Sequence, residues 1–82
     1  MFQARIYVTL KQGILDPQGK AVKGGLANMV YQGVVDVRVG KFLVLILDSP
    51  DRQQAEQSVR EMCDRLLANP VIEDYTFELQ EV

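Results

Sequence analysis

Apolar and polar residues alternate along the first part of the chain. The even positions from Phe2 to Leu10 are apolar, and the odd positions from Gln3 to Lys11 are polar or tyrosine. Because neighbouring side chains of a β-strand point to opposite faces, this alternation predicts a half-buried strand. Asp16 and Pro17 then supply an N-cap carboxylate and a proline suited to the first helical position. A helix is therefore predicted to begin there.

Helical spacing of apolar residues continues beyond this start. The apolar positions follow one another at i, i+4, i+7 and i+8, which predicts one apolar stripe, and Gly33 is the predicted stop. These positions are Val22, Leu26, Met29 and Val30. Gly24 and Gly25 lie within the helix and weaken it, since each glycine costs about 1 kcal/mol relative to alanine.

The middle of the chain has two short apolar segments. Val35, Val37 and Val39 alternate with polar residues and glycine, and a continuous apolar run extends from Phe42 to Leu47. The Gly40-Lys41 step between them favours a hairpin, and a single long bent strand is the alternative.

A second helix and a last strand complete the pattern. Asp48 to Asp51 is a helix start, and apolar residues from Ala55 to Leu67 repeat at helical spacing up to Asn69-Pro70. Alternation around Phe77 then predicts a strand that runs nearly to the C-terminus.

The element order is β-α-β-β-α-β in a single domain, residues 1–82. This order predicts an α+β fold of the ferredoxin-like type, an antiparallel sheet with two helices on one face. The run from Phe42 to Leu47 is apolar on both faces, so the face without helices needs a cover. We expect a homodimer that forms through the strands, on the open sheet face. The predicted dimer interface is Leu43, Leu45 and Leu47.

Charge and composition limit the possible partners. The formal net charge is −2 and the isoelectric point is about 4.9, with basic residues scattered along the chain. Nucleic acids and anionic membranes require clustered Lys and Arg, so neither is an expected partner. The N-terminus lacks the pattern of a signal peptide, and a cytoplasmic location is expected.

The chain has no predicted catalytic or metal site. It contains one cysteine, Cys63, and no histidine. A thiol without a base, placed in the apolar stripe of a helix, is predicted to pack in the core. No metal, and no cofactor bound by this chain, is expected.

The loop from Lys11 to Lys20 is the least explained by secondary structure. Ile14 and Leu15 lie between flexible and charged residues. An ordinary capped turn is sufficient to explain it, although a helix N-terminus with Lys11 and Lys20 beside it could hold an anion.

At this loop the sequence resembles a known family. Residues 10–22, LKQGILDPQGKAV, closely resemble the motif of the PurS-type small subunit of phosphoribosylformylglycinamidine (FGAM) synthase. The segments DVRVGK (36–41) and LLANPVIEDY (66–75) resemble the same family in order and spacing. The sequence departs from the family pattern around Gly24-Gly25, from Met29 to Gln32, and in the strongly apolar run from Leu43 to Leu47.

The resemblance implies a dimeric βαββαβ domain that has no active site. It implies that the homodimer joins a glutaminase subunit, which releases ammonia, to a large synthetase subunit, which uses ATP and magnesium to convert FGAR to FGAM. The reaction belongs to purine biosynthesis. From the positions of the motif matches, the expected partner contacts are Lys11, Asp16, Gln18, Lys20, Arg38 and Lys41.

Two other protein classes share the predicted topology. A regulatory module of the ACT type would bind an amino acid between two subunits, and Gly13 alone favours it weakly. An acylphosphatase-like enzyme would need an arginine in the loop after the first strand, and residues 11–20 contain none.

Overall fold

The computed structural model describes residues 1–82 and contains one three-stranded sheet. The elements are β1 (Phe2–Leu10), α1 (Pro17–Asn28), β2 (Gly40–Leu47), α2 (Arg52–Met62) and β3 (Glu73–Glu81). A π-helical turn, Cys63–Leu67, continues α2. The strand order is β2-β1-β3, and both pairs are antiparallel. No helix of the protein has the length and apolar character needed to cross a bilayer.

The core lies between β1 and α2. The even side chains of β1 are buried, and they pack against the buried face of α2. The largest fully buried side chains are Ile6, Val8, Val59 and Cys63. Each such aliphatic side chain contributes roughly 1.5 to 3 kcal/mol when it leaves water. The alternation of β1 and the core position of Cys63 are therefore confirmed.

The β1–β2 register decides which face each β2 side chain occupies. Leu43 lies opposite Ile6, and Leu45 lies opposite Ala4. Since directly opposed residues share a face, the leucines of β2 lie on the α2 side, where they are partly buried against the core. The prediction that Leu43, Leu45 and Leu47 lie on the open face is therefore wrong, while their place in a dimer interface stays a prediction.

The open face of β2 carries a different apolar triplet. These side chains are about half exposed or more: Phe42 56%, Val44 52% and Ile46 56%. Tyr7 of β1 stacks on Phe42, with the ring centroids 5.1 Å apart.

The predicted hairpin at Gly40-Lys41 does not form. Gly40 and Lys41 are already paired with Thr9 and Val8 as the first residues of β2, so they cannot serve as a loop. Residues 34–39 pair with no strand of the chain, and no bend or turn interrupts the backbone from there to Leu47. The alternative of one long strand describes this region better. The sheet of one chain therefore contains three strands, whereas four were predicted.

Helix α1 extends away from the sheet. It ends at Asn28, before the predicted stop at Gly33, and Val30 adopts a left-handed φ of 69°. Its apolar stripe is largely exposed, with Met29 66% and Val22 45% accessible. The molecule measures 51 × 27 × 15 Å and its radius of gyration is 16.2 Å. A compact domain of this length would have a radius of gyration of about 12 Å.

We expect truncation of the core to cost far more than truncation of a surface valine. Val59→Ala should lower the free energy of unfolding by about 2 kcal/mol, because it opens a cavity between α2 and β1. Val71→Ala, at a side chain 78% exposed, is the matched control and should change it by less than about 0.5 kcal/mol. Urea unfolding at equal protein concentration measures both, and equal losses would contradict this core.

Candidate subunit-contact site

The carboxylate of Asp16 joins the start of α1 to the segment that enters β2. Its Oδ1 accepts a hydrogen bond from the backbone N–H of Gly19 at 2.8 Å, which caps the helix. Its Oδ2 accepts one from the N–H of Val39 at 2.9 Å. Asp16 is only 8% exposed. Both oxygens are therefore used inside the chain, in agreement with the N-cap predicted from Asp16-Pro17.

Arg38 binds the same part of the fold, where the end of β1, the start of α1 and residues 38–39 meet, which we call the Asp16 corner. Its Nη2 donates to the carbonyl oxygens of Leu10 and Lys11, the latter at 2.8 Å. Its Nε lies 3.9 Å from the Oδ2 of Asp16, which is an ion-pair distance. The end of β1, the start of α1 and residues 38–39 are thereby held together as one unit.

Hydrogen bonding lowers the pKa of Asp16 below its ordinary value. The main cause is the N–H of Val39, followed by the N–H of Gly19, and the charge of Arg38 adds to them. Burial opposes the shift. Because the folded state holds the ionised form, this carboxylate stabilises the fold above its unfolded pKa, and the contribution is lost as the pH falls through the depressed value.

Both oxygens of Asp16 are used inside the chain, whereas the Arg38 side chain is 23% exposed. Whether either residue contacts a partner stays a prediction. The internal role of Asp16 was predicted from the sequence, since an aspartate before a helical proline is a typical N-cap. No local signal identified Arg38, because its acceptors lie 27 and 28 residues away.

The other predicted contact residues lie on the surface around this corner. Lys11 follows the end of β1, and its Nζ lies 4.0 Å from the Oδ1 of Asp74 in β3. Lys41 Nζ donates to the carbonyl of Leu67 at 3.1 Å and lies 3.9 Å from Glu73. Gln18 and Lys20 are exposed in the first turn of α1. These four side chains stay predicted contacts.

Exposed apolar side chains accompany these polar ones. Leu15 is 64% exposed, and Ile14 is 37% exposed. Together with Lys20 and Val37 they border a small cleft of about 130 Å³. A cleft of this size is well below the few hundred Å³ of typical small-molecule pockets, so the surface is better suited to contact another protein.

The chain offers no metal-binding cluster, since no three metal-ligating side chains come together. The thiol of Cys63 is buried, and burial raises its pKa, which disfavours the reactive thiolate.

The antiparallel sheet with α2 on one face defines an α+β domain of the ferredoxin-like class. The loop before α1 exposes Leu15 and Lys20, which gives the domain a surface suited to protein contact. Comparison of the chain with known protein families, relatives and solved structures points to one family. Residues 3–81 match the family model of PurS, described as phosphoribosylformylglycinamidine (FGAM) synthase. The chain belongs to the PurS family.

Individual relatives show how complete the similarity is. The FGAM synthase subunit PurS of Bacillus subtilis is 49% identical over 82 residues, which cover 100% of this chain and 96% of that protein. A solved structure of B. subtilis PurS superposes with a TM-score of 0.88 at 48% identity and covers 99% of this chain and 100% of that one. A chain in the structure of PurLQS from Thermotoga maritima has the same TM-score at 28% identity, with 96% of each chain covered. The ferredoxin-like class is thereby confirmed.

We expect Asp16→Asn to destabilise the protein in a pH-dependent way. The N–H groups of Gly19 and Val39 bind different oxygens of Asp16, and asparagine replaces one of these oxygens by an NH2 donor, so one of the two hydrogen bonds is lost. The loss should be full at pH 7 and should shrink as the pH falls through the depressed pKa of Asp16, because the parent then loses the same charge.

Thermal unfolding between pH 7 and pH 3 measures this effect. Asp48→Asn, at an exposed carboxylate, is the control and should follow the parent at every pH. If the difference in thermal stability between Asp16→Asn and the parent does not change with pH, the ionised Asp16 carboxylate does not stabilise the fold in this way.

Proposed function

We propose that this protein is the small, non-catalytic subunit of an FGAM synthase complex in purine biosynthesis, and that it works as a homodimer that joins a PurL-type synthetase subunit to a PurQ-type glutaminase subunit. The observation that carries the proposal is the full-length similarity to PurS subunits, which extends to a chain of the T. maritima PurLQS structure.

In this proposal the partners carry out the chemistry. The PurQ-type subunit releases ammonia from glutamine, and the PurL-type subunit uses ATP and magnesium to activate the amide of FGAR. Ammonia that escapes into water is protonated and diluted, so the two active sites need a connection that excludes water. A small subunit bound to both partners helps to close that connection, in a complex we place in the cytoplasm.

The proposed contact surface lies around the Asp16 corner. Lys20 borders the same cleft as the exposed leucine of the loop, Leu15. Lys11, Gln18 and Lys41 lie at the surface next to the end of β1, the start of α1 and the start of β2. A contact that combines an exposed apolar side chain with a polar rim is typical of protein interfaces. Asp16 and Arg38 act indirectly, because they hold the loop that presents this surface.

The surface area of the chain supports the homodimer. A compact monomer of 9.3 kDa has about 5,000 Å² of accessible surface. This chain exposes 5992 Å². The excess, about 1,000 Å², is close to the roughly 800 Å² that each partner buries in a standard interface. The elongated shape and the exposed apolar stripe of α1 account for this excess.

Reconstitution tests the proposal directly. The chain is mixed with the PurL-type and PurQ-type subunits of its own organism, and glutamine-dependent formation of FGAM is measured with and without it. We expect co-purification of all three and glutamine-dependent activity only when the chain is present. Equal glutamine-dependent turnover by the PurL-type and PurQ-type subunits alone would overturn the assembly role.

Substitutions on the proposed contact surface should lower activity with glutamine as the ammonia source but not activity with added ammonium salt. Lys11→Ala, Gln18→Ala, Lys20→Ala and Lys41→Ala, combined in one chain, should lower glutamine-dependent activity at least tenfold, because the subunits no longer dock correctly. Activity with added ammonium salt, which bypasses the glutaminase, should stay near the parent value.

The control is Arg65→Ala, at an exposed arginine of the π-helical turn that pairs only with Glu61. It should leave both activities at the parent level. Parent activity of the fourfold variant with glutamine would remove these side chains from the interface.

A further inference from the structure

A groove runs between α2 and the outer edge of β3. It has a volume of about 580 Å³, and its walls come from one face of α2 and from residues 75–79 of β3. At about 3.3 Å per residue, this part of β3 is about 13 Å long. The groove is therefore long enough for several residues of an extended chain.

The β3 edge presents unused backbone groups to this groove. The N–H of Lys11 donates to the carbonyl of Ile72, and the N–H of Val82 donates to the carbonyl of Met1. Even residues along β3 therefore direct their backbone groups to β1, and odd residues direct theirs outward, because the direction alternates along a strand. The residues with outward groups are Tyr75, Phe77 and Leu79.

Arg60 of α2 stands over this edge with an unpaired charge. Its Cζ lies 5.7 Å from the centroid of the Phe77 ring. Glu56, one turn before it, pairs instead with Arg52 at 3.9 Å, and no carboxylate of the chain forms an ion pair with Arg60. Arg52 also donates to the carbonyl of Leu79, which closes that end of the edge. The middle of the groove thus combines the free N–H and C=O of Phe77 with a free guanidinium.

Glu78 places a second unpaired charge on the opposite face of the sheet. It lies directly opposite Arg5 of β1, yet no ion pair joins the two side chains. Since adjacent residues of a strand point to opposite faces, Phe77 faces α2 and Glu78 faces away from it. The same short stretch of edge therefore has a cation on the helix side and an anion on the open side.

The charges of β3 itself argue against a second copy of β3 as the occupant of this edge. The strand has no basic residue, and in an antiparallel register centred on Phe77 its residue Glu73 would lie opposite Glu81. Like charges directly opposite each other are destabilising. The two Arg60 side chains would also meet over the paired Phe77 residues. The edge therefore fits a strand of a different sequence.

We propose that this groove binds an extended segment of a partner subunit as an added antiparallel strand, in which a basic residue is followed directly by an acidic one. The acidic residue lies opposite Phe77, so that its side chain faces α2 and meets Arg60. The basic residue before it lies opposite Glu78 on the open face. The backbone groups of Phe77 supply two hydrogen bonds to the added strand. The charges that keep unrelated strands away from this edge thus select this one.

This inference rests on the proposed function and deepens it, since it adds a partner contact on the sheet edge opposite β2 and apart from the Asp16 corner. Its first test uses the chain without its partners. A failed amidation assay would leave the result of that test intact, and a failed test would leave the assembly role open to assay.

A titration with synthetic peptides tests the order of the charges. The capped peptide TVKETVT carries lysine before glutamate, and TVEKTVT exchanges the two at identical composition. Each is added to the isotope-labelled full chain and followed by NMR. We expect TVKETVT to shift the amide signal of Phe77 and the Nε–H signal of Arg60, and TVEKTVT to bind at least about fivefold more weakly, because both charge pairs become repulsive. Equal affinities, or an unmoved Phe77 signal at millimolar peptide, would overturn the proposal.

Free glutamate is the second arm of this titration, because a small carboxylate can meet a guanidinium without a strand. We expect it to leave the Phe77 amide signal in place at the concentrations used for the peptides. Shifts as large as those produced by TVKETVT would identify a small-molecule site and overturn the strand.

Exchange of the two edge charges should reverse the preference. Arg60→Glu combined with Glu78→Lys should bind TVEKTVT at least about fivefold more tightly than TVKETVT, for the same electrostatic reason. An unfolded variant does not gain such a preference. The control is Arg65→Glu, at an exposed arginine of the π-helical turn outside the groove, which should keep the preference of the parent. A double variant that also keeps the parent's preference would reject the two charge contacts.

Hydrogen exchange in the complete three-subunit complex tests the same edge without substitutions. The amide of Phe77 should exchange at least about tenfold more slowly than in the free chain, because the added strand accepts its hydrogen bond. The amide of Thr76, which already points to β1, is the internal control and should stay unchanged. An active complex in which the Phe77 amide exchanges as fast as in the free chain would overturn the proposal.

Discussion

Because β1 lies between two strands and beneath one helix, its backbone hydrogen-bonding groups and its even side chains are used within the fold. The N–H of Lys11 donates to Ile72 and the carbonyl of Met1 accepts from Val82, so the odd residues of β1 direct their backbone groups to β3 and the even residues direct theirs to β2. The even side chains are buried under α2. This arrangement decides which side chains of β2 and β3 face α2. It also leaves exactly two outer edges, of which only the β3 edge is covered by charged groups of the same chain.

The carboxylate of Asp16 and its hydrogen bonds to Gly19 and Val39, which we call the Asp16 clamp, link this sheet to α1. By binding Gly19 and Val39 at once, a single carboxylate sets the position of α1 relative to the start of β2. Helix α1 therefore follows residues 34–39 away from the sheet and leaves the leucines of β2 partly exposed. The same corner leaves Leu15 and Lys20 exposed at the surface. The relative positions of β1, α1 and residues 38–39 thus depend on one partly buried ion pair and its backbone hydrogen bonds.

Those features of this arrangement that depend on residues close together in the chain could be predicted from the sequence. The alternation of β1, the cap at Asp16 and the core position of Cys63 each depend on residues close in the chain, and the structure confirms them. The face of Leu43 depends on pairing with Ile6, 37 positions away, and a shift of one residue would reverse it. The Gly40-Lys41 step has the composition of a turn, yet tertiary pairing with β1 overrides that preference. Arg38 gave no local signal because its partners lie across the fold.

The unbroken course of the chain from Val34 to Leu47 has a consequence for how the sequence can change in length. In a hairpin, the step at Gly40 would be a loop, where insertions are usually tolerated. Here an inserted residue would exchange inward and outward side chains on one side of it, and would separate the Asp16 clamp from the β1 ladder. The turn at Gln32-Gly33 carries no such constraint. Length variation among proteins of this architecture should therefore concentrate at the tip beyond α1, and the stretch that crosses Gly40 should keep a constant length.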